Sequence, residues 1–253
     1  MQITFLGTGT SQGVPIIACP CSVCQSPDPR DKRLRTSILV EEKGKNFVID
    51  TGPDFRQQML REDVKNLDAV IFTHEHKDHT AGFDDIRAFN FIHKKKMEVY
   101  ASARVQEAIR REYAYIFSDF KYPGIPEINL HLIGNEKFKV EGVEFTPVEV
   151  MHYKLPVMGF RIGDLSYITD ANFISGEEKD KIRNSKILVL NALRREPHIS
   201  HFTLQEAIEM VAELKPEKAY FTHISHQLGR HEDVSKELPA NIEIAYDGLK
   251  LTI

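Results

Sequence analysis

The sequence lacks several features that would place it in a particular class of protein. No apolar run approaches the ~20 residues that a membrane-spanning helix needs. Residues 1–6 have the pattern of a strand and carry neither the basic flank nor the cleavage site of a leader peptide, so we expect a cytoplasmic protein. Positive charge is not in excess, since 33 Lys and Arg stand against 37 Asp and Glu, a net charge of −4. A protein that coats duplex nucleic acid is usually far more basic.

What is present is the composition of an ordinary globular protein, with 42% apolar and 28% charged residues in 253. Short apolar strands and helices occur in both halves of the chain. The best-marked helix is 204–214, which Thr203 and Glu206 begin as a capping box and Lys215-Pro216 ends. The pattern favours an α/β fold of two face-to-face sheets with helices outside, as one domain over residues 1–253. Strands are predicted at 2–6, 36–41, 46–50, 69–73, 143–150, 165–169, 187–190 and 219–222, and a further helix at 103–116.

The most informative segment is a histidine-rich strand end. A buried strand leads into His74-Glu75-His76-Lys77-Asp78-His79. In extended chain His74 and His76 point to the same side and can bind one cation. Asp78 and His79 follow where the chain turns toward a helix, and they can reach a second cation. Three imidazoles and a carboxylate suit zinc, manganese or iron better than calcium or magnesium. The alternative is a polar strand end with surface histidines.

The three cysteines, Cys19, Cys21 and Cys24, lie within six positions of one another. An odd number so closely spaced is a poor disulfide framework and suggests a metal site. Structural zinc takes four ligands, and with no fourth cysteine in the chain His226 is the best remaining candidate. Such a site would tie the loop after the first strand to the loop that carries His223. The alternative is a set of buried or redox cysteines.

The motif His74-x-His76-x-Asp78-His79 after an apolar strand resembles that of the metallo-β-lactamase superfamily of metal-dependent hydrolases. The resemblance covers nearly the whole chain and implies an αββα sandwich of two packed mixed sheets with helices on the outer faces. It also implies a pair of divalent metals, manganese or zinc or else iron. The implied ligands are His74, His76 and His152 for one metal and Asp78, His79 and His223 for the other, with Asp170 bridging them. Asp50 matches a superfamily aspartate that orients a ligand histidine, and the alternative for it is a plain structural turn.

The opening residues 5–15 and the Cys-x-Cys-x2-Cys motif narrow the resemblance to the PhnP-type branch, typified by a phosphoribosyl 1,2-cyclic phosphate phosphodiesterase. In that branch three cysteines and a late histidine carry a structural zinc. The corresponding positions here are Cys19, Cys21, Cys24 and His226. His201, followed by Phe202-Thr203, matches the branch's proton donor, whereas His198 does not. The alternative for His201 is an interaction with the N-terminus of the following helix.

The resemblance therefore implies a dimetal phosphodiesterase acting on a small, cyclic ribose phosphate such as 5-phosphoribosyl 1,2-cyclic phosphate. A metal-bridging hydroxide would attack phosphorus, with His201 and Asp78 as the catalytic residues and His201 as proton donor. Three alternatives remain open: a ribonuclease Z-like tRNA 3′-end endonuclease, a thioester or lactone hydrolase on the same fold, and a non-catalytic metal-stabilised binding module. The expected partner is a small phosphodiester and not a membrane. A nucleic acid is left open, and the resemblance suggests a homodimer.

Several cationic pairs are candidates for contact with a substrate phosphate. Arg194-Arg195 lies nearest to His201 in the sequence and is the better candidate. Lys94-Lys95-Lys96 and Arg110-Arg111 are expected to be solvated.

Overall fold

The computed structural model describes residues 1–120 and 122–253. The strands are β1 Gln2–Gly7, β2 Ser37–Glu42, β3 Lys45–Ile49, β4 Ala69–Ile71, β5 Met97–Ala101, β6 Ile128–Leu132, β7 Phe138–Val140, β8 Val143–His152, β9 Leu155–Ile162, β10 Leu165–Tyr167, β11 Phe173–Ile174, β12 Ile187–Asn191, β13 Lys218–Thr222, β14 Ile242–Ile244 and β15 Lys250–Thr252. The helices are α1 Phe55–Arg61, α2 Lys77–Thr80, α3 Arg87–His93, α4 Ala103–Glu112, α5 Gly176–Ile182, α6 Leu204–Leu214 and α7 His231–Ser235. Within these ranges no helix combines the length and the apolar character that crossing a bilayer requires.

The strands of the described residues form two mixed sheets. The first has the order β15-β1-β2-β3-β4-β5-β6, and the second has the order β11-β8-β9-β10-β12-β13-β14, with β7 beside β8. Strands β3 to β6 are parallel, as are β10, β12, β13 and β14. Because the carboxyl ends of parallel strands meet at one edge of a sheet, the loops after β3, β4, β10 and β13 can converge on a single site.

Apolar side chains fill the space between the sheets and cover their outer faces. Ile3 and Phe5 of the first sheet share one buried cluster with Phe145 and Phe160 of the second. Helices α1, α3 and α4 pack on the outer face of the first sheet, and α6 and α7 pack on that of the second. The predicted αββα sandwich is therefore confirmed.

Each of the eight predicted strands is present, with its ends moved by one or two residues. The helix predicted at 204–214 has those bounds. Its capping box is formed, with Thr203 N–H donating to Glu206 Oε2 at 2.8 Å and Glu206 N–H donating to Thr203 Oγ1 at 3.2 Å. The helix predicted at 103–116 ends at Glu112, and a single 3₁₀ turn follows at Ala114–Ile116.

The loop after β3 passes unusually close to α2. A Cβ atom on Gly52 would lie 2.2 Å from the carbonyl oxygen of Asp78, and one on Gly82 would lie 2.1 Å from the carbonyl oxygen of Gly52. Backbone hydrogen bonds fix the approach, since Thr51 N–H donates to His79 O at 2.8 Å and Gly82 N–H donates to Thr51 O at 2.9 Å. The absence of side chains at the two glycines lets the histidine-rich segment lie against the end of β3.

Gly52→Ala should therefore destabilise the fold. The added methyl group would lie 2.2 Å from the carbonyl oxygen of Asp78, a backbone atom that cannot move aside cheaply. Overpacking of this kind costs about 3 kcal/mol. For a protein of this size, that corresponds to a fall in Tm of about 6–12 °C. Thermal unfolding followed by circular dichroism would measure it, with Gly176→Ala as the control, because a Cβ there meets nothing within 4 Å. A Gly52→Ala protein that melts with the wild type would contradict the expected clash.

Candidate metal centre

The predicted ligands come from loops that follow the strands at the shared edge. His74, His76, Asp78 and His79 lie between β4 and the end of α2, His152 is the last residue of β8, Asp170 follows β10, and His223 follows β13 directly. All are buried apart from His76, which is exposed, and Asp78, which is half-buried. The structure therefore brings together the seven side chains that the sequence predicts as ligands.

One cluster contains His74, His76 and His152, each offering a nitrogen within 4.8 Å of the others. His74 Nε2 lies 3.1 Å from His76 Nδ1, and two nitrogens on one tetrahedral zinc ion lie about 3.3 Å apart. His152 Nδ1–H donates to the carbonyl of Ser200 at 2.9 Å, which leaves the lone pair of Nε2 for a cation. His74 Nδ1 lies 2.9 Å from Thr73 Oγ1, and its Nε2 is oriented in the same way.

A second cluster contains Asp78, His79, Asp170 and His223. Asp170 Oδ1 lies 3.4 Å from His79 Nε2 and 3.2 Å from His223 Nε2. Asp78 Oδ2 lies 3.3 Å and 3.6 Å from the same two nitrogens. Two carboxylate oxygens and two imidazole nitrogens thus surround one point.

The carboxylate of Asp170 faces both clusters. While Oδ1 lies in the second cluster, Oδ2 lies 3.8 Å from His74 Nε2 in the first. The same Oδ2 lies 3.2 Å from His201 Nε2. Each oxygen is thus directed to a different set of nitrogens, which is the arrangement that a bridging ligand needs.

Unpaired buried atoms test whether the site fits metal ions. Within the described part of the chain, His79 Nε2 and both ring nitrogens of His223 are buried without a hydrogen-bond partner. Buried polar atoms are otherwise nearly always paired. Imidazole nitrogen and carboxylate oxygen are donors that suit zinc, manganese and iron. The residues therefore fit a pair of divalent cations.

The ionisation states of these side chains also suit a pair of divalent cations. Burial alone would raise the pKa of Asp170, but His223 and His79 lower it well below its usual range, so the carboxylate stays ionised. At His74 burial dominates and lowers the pKa well below the ordinary value, which keeps that imidazole neutral, as a metal ligand must be. Burial opposes the charged form of His79 too, yet Asp170 and two further carboxylates raise its pKa well above the ordinary value. The carboxylates thus attract positive charge to the second cluster.

Asp50 lies behind His79 and fixes its orientation. Its Oδ2 is 2.7 Å from His79 Nδ1, and the carboxylate also accepts from Thr73 N–H at 2.9 Å and Thr73 Oγ1–H at 2.7 Å. With Nδ1–H donating to Asp50, His79 turns its Nε2 toward Asp78 and Asp170. This is the contact that the resemblance implied for Asp50.

Left-handed backbone occurs at three residues of the site. Asp50, Asp170 and His223 have φ of 66°, 56° and 56°. Residues other than glycine adopt such values rarely, and they concentrate at functional sites. Each of the three lies in the loop that follows a parallel strand. The left-handed backbone there turns the chain, so that the side chain lies at the edge where the ligand clusters form.

His201 lies beside the clusters, and its role as a proton donor stays a prediction. Its Nε2 faces Asp170, and its Nδ1 lies 3.1 Å from both Ser200 Oγ and His198 Nδ1. Burial lowers the pKa of His201 to about 4, although Asp170 opposes the shift. Thr203 caps the following helix, so the alternative role for His201 at that N-terminus finds no support.

The cysteine cluster also assembles as predicted. His226 Nδ1 lies 3.4 Å, 3.3 Å and 3.6 Å from the sulfurs of Cys19, Cys21 and Cys24. A sulfur–nitrogen pair on tetrahedral zinc is about 3.6 Å apart. The N–H of Cys24 and the ring of His226 lower the pKa of the Cys21 thiol to about 6, which favours the thiolate that zinc binds. The four side chains fit a closed structural zinc site.

Hydrogen bonds connect the loop that carries this cluster to the metal centre. Thr10 N–H donates to Ile224 O at 3.0 Å, and Ile224 N–H donates to Thr8 O at 2.8 Å. Ile224 stands between His223 of the second cluster and His226 of the cysteine cluster. The two predicted metal sites therefore share one short segment of backbone.

The arginines favoured for phosphate contact are occupied elsewhere. Arg194 donates to Gln227 Oε1 at 3.0 Å and to the carbonyls of Glu196 and Pro197 at 3.1 Å and 2.7 Å. Arg195 donates to the Leu228 carbonyl at 3.1 Å and pairs with Glu237. These partners lend no support to the predicted phosphate contact of this pair, which stays a prediction.

A pocket of about 410 Å³ opens beside the first cluster instead, and the sequence analysis missed it. Its lining consists of His76, Arg104, His152, Tyr153, Lys154, Leu155, Ile199 and Ser200. The one available signal was the position of Lys154, two residues after a predicted ligand. No sequence signal pointed to Arg104, because only the packing of α4 brings this residue to the pocket.

Comparisons with known proteins agree with this geometry. A family profile described as "Beta-lactamase superfamily domain" matches residues 45–224. The crystal structure of a diphosphatase from the PhnP family is 40% identical, with a TM-score of 0.94, over 100% of this chain and 97% of that one. An octanoyltransferase of Porphyromonas gingivalis is 38% identical over 100% of this chain but only 52% of its own length, so the chain spans about half of that relative. A ribonuclease Z of Pyrobaculum islandicum is 24% identical over 89% of this chain and 87% of its own. The chain belongs to the beta-lactamase superfamily of metal-dependent hydrolases and, within it, to the PhnP family.

Proposed function

We propose that the protein is a metal-dependent phosphodiesterase whose substrate is a small diester, with a cyclic ribose phosphate as the first candidate. The observation that carries the proposal is the position of His201, 3.2 Å from the carboxylate that joins the two ligand clusters. Two divalent cations held by these clusters would activate water and neutralise charge on the phosphoryl group. Manganese, zinc and iron all suit the ligands.

The chain's own residues hold the geometry and supply a proton. Asp170 keeps the two clusters in a fixed relation, and Asp50 and the Ser200 carbonyl fix the rings of His79 and His152. His201 directs Nε2 into the site, where a protonated ring would donate to the departing sugar oxygen. Because burial lowers the pKa of His201 to about 4, the donor role requires the negative charges of Asp170 and of the bound phosphodiester to stabilise the protonated ring. Alkoxide is a poor leaving group, so a positioned acid accelerates this step by about 10²–10⁴-fold.

A phosphoanhydride is the second candidate, and the PhnP-family diphosphatase favours it. Hydrolysis of a diphosphate expels a phosphate oxygen, which is a better leaving group than an alkoxide and depends less on protonation. The two candidates therefore predict different needs for His201. We do not propose octanoyl transfer as an activity of this chain, because the chain matches only 52% of the P. gingivalis octanoyltransferase.

His201→Ala should slow opening of 5-phosphoribosyl 1,2-cyclic phosphate by about 10²-fold, because the sugar oxygen would leave without a donor. With ADP-ribose as an organic diphosphate, the same substitution should cost less than about 10-fold. Phosphorus NMR of the manganese-loaded protein would follow both reactions. His93→Ala, at a half-buried histidine on α3 outside the two ligand clusters, is the matched control.

Each outcome separates the candidates. An unchanged rate on the cyclic ester in His201→Ala would refute the donor role. If the wild type cleaves the diphosphate and leaves the cyclic ester intact, the second candidate replaces the first. If it holds its metals and cleaves neither, the phosphodiesterase proposal fails, and precursor tRNA and simple thioesters become the next substrates to assay.

A further inference from the structure

A second histidine, His198, lies in the loop between β12 and α6, three residues before the predicted proton donor. No role follows for it from the family resemblance, which places the donor at His201. The His198 ring is half-buried and lies against that of His201, with the ring centres 5.0 Å apart and the two Nδ1 atoms 3.1 Å apart. Two nitrogens at that distance share a hydrogen bond only if one of them carries a proton.

The backbone of the loop shows which Nδ1 carries that proton. Ser200 N–H donates to His198 Nδ1 at 3.4 Å, and a ring nitrogen that accepts a hydrogen bond has no proton of its own. Burial and the nearby charge of Arg194 lower the pKa of His198, which agrees with a neutral ring. The proton therefore lies on Nδ1 of His201, because two bare nitrogens at 3.1 Å would repel each other.

The hydroxyl of Ser200 is compatible with the same assignment. Its Oγ lies 3.1 Å from His201 Nδ1 and 3.3 Å from His198 Nδ1. A hydroxyl can accept one hydrogen bond while it donates another, so it can accept from His201 Nδ1–H and donate to His198 Nδ1. In both arrangements the proton of His201 is on Nδ1.

The loop also holds this pair of rings in a fixed position relative to the ligand clusters. The Ser200 carbonyl accepts from His152 Nδ1–H at 2.9 Å. Phe202 N–H donates at 2.8 Å to the carbonyl of Ala171, the residue that follows the bridging carboxylate. The neighbours of His201 on both sides are thus tied to segments that carry predicted ligands.

We propose that His198 is a positioning residue for His201, whose Nδ1–H its own Nδ1 accepts. The other ring nitrogen, Nε2, is then the one that exchanges a proton in the site. When the Nε2–H bond breaks and the sugar oxygen takes the proton, the electron pair stays on Nε2. The ring keeps its remaining proton on Nδ1, already hydrogen-bonded to His198, and the water consumed in hydrolysis returns a proton to Nε2.

This inference rests on the proposed function and deepens it by naming the residue that orients the donor. Of the two polar atoms that the described residues place beside His201 Nδ1, only the Ser200 hydroxyl would remain if His198 were replaced by an apolar residue. A hydroxyl donates as readily as it accepts. It would therefore no longer fix the proton on Nδ1.

The test replaces His198 by two residues of similar size. In His198→Asn the side-chain oxygen stands near the place of Nδ1 and can accept, whereas His198→Leu fills the space without an acceptor. His198→Leu should lower kcat for 5-phosphoribosyl 1,2-cyclic phosphate by about tenfold at unchanged KM, the usual effect of losing one hydrogen bond from a charged group. His198→Asn should retain the wild-type kcat. With bis(p-nitrophenyl) phosphate, whose leaving group needs no proton, both variants should match the wild type.

Nitrogen-15 NMR of the zinc-loaded protein, labelled at histidine, gives a second measurement that needs no turnover. The His201 signals are those that His201→Ala lacks. The wild type and His198→Asn should show a protonated Nδ1 on His201, and His198→Leu should show a mixture of the two tautomers.

The outcomes separate this inference from the proposed function. If the wild type cleaves the cyclic ester and His198→Leu keeps its kcat, or if both variants lose kcat equally, the positioning role is refuted and the proposed function stands. If the wild type leaves the cyclic ester intact while NMR shows Nδ1–H on His201 in the wild type and its loss in His198→Leu, the proposed function fails and the orientation of His201 by His198 stands. A bare Nδ1 on His201 in the wild type would overturn the inference whatever the turnover.

Discussion

Asp170→Asn should reduce phosphodiesterase turnover by more than about 10³-fold and leave the purified protein with fewer than its full complement of active-site metals. The carboxylate lies within 3.8 Å of four imidazole nitrogens, from His74, His79, His201 and His223. An amide keeps the shape of the side chain but removes the charge and turns one acceptor into a donor. Metal ions at such a site lower the activation free energy by several kcal/mol. A loss of 4 kcal/mol of this stabilisation slows the reaction by about 10³-fold.

Metal analysis by mass spectrometry, alongside turnover, would measure both effects. Asp164→Asn is the matched control, because Asp164 is an exposed carboxylate in the turn between β9 and β10, paired with Lys186. It should retain the metal content and the rate of the wild type. Full metal occupancy in Asp170→Asn would show that the carboxylate does not join the two clusters.

Cys21→Ala should release zinc and lower Tm by about 10 °C or more. The substitution removes the sulfur that lies closest to His226, at 3.3 Å, and three ligands cannot close a tetrahedral site. Structural zinc is worth about 10 kcal/mol in small zinc-dependent peptides. For a protein of this size each kcal/mol moves Tm by about 2–4 °C, so partial loss of that stabilisation is enough for the expected shift.

Zinc content and thermal unfolding would be measured together, with Ser22→Ala as the control, because this exposed neighbour is not one of the predicted ligands. Turnover should fall in Cys21→Ala as well, since His226 and His223 lie on the same short segment. A variant that loses zinc but keeps its Tm would show that the cysteine cluster does not support the fold.

The residues that gather at the candidate metal centre could be named from the sequence, because one motif is local and the family resemblance places the other ligands after apolar strands. His74, Asp170 and His223 each come soon after an apolar strand, and such strands are visible as runs of buried residues. Strand β9 was not predicted, because Pro156 and Gly159 interrupt its pattern and both normally argue against a central strand. The structure accepts the glycine for a packing reason, since a Cβ there would lie 2.3 Å from Ile168 Cδ1.

The pocket could not be predicted for a different reason. Arg104 and Lys154 are 50 positions apart, and they meet only because α4 of the first sheet and the β8–β9 turn of the second reach the same edge. Arg194 and Arg195 are next to each other in the sequence and near His201, yet their donors are satisfied by neighbouring loops. Proximity along the chain was a poor guide to which cations lie at this pocket.

The left-handed residues at the metal centre set stability against activity. Glycine would adopt the backbone of Asp50, Asp170 and His223 without the penalty, about 1 kcal/mol each, that other residues meet there. A search for thermostable variants would therefore tend to select glycine at the positions that hold the metals. Metal binding to the native state offsets the penalty by mass action. The natural residues at these positions are thus best suited to the metal-bound protein. Selection for the stability of the metal-free protein alone would replace the residues of the metal centre first.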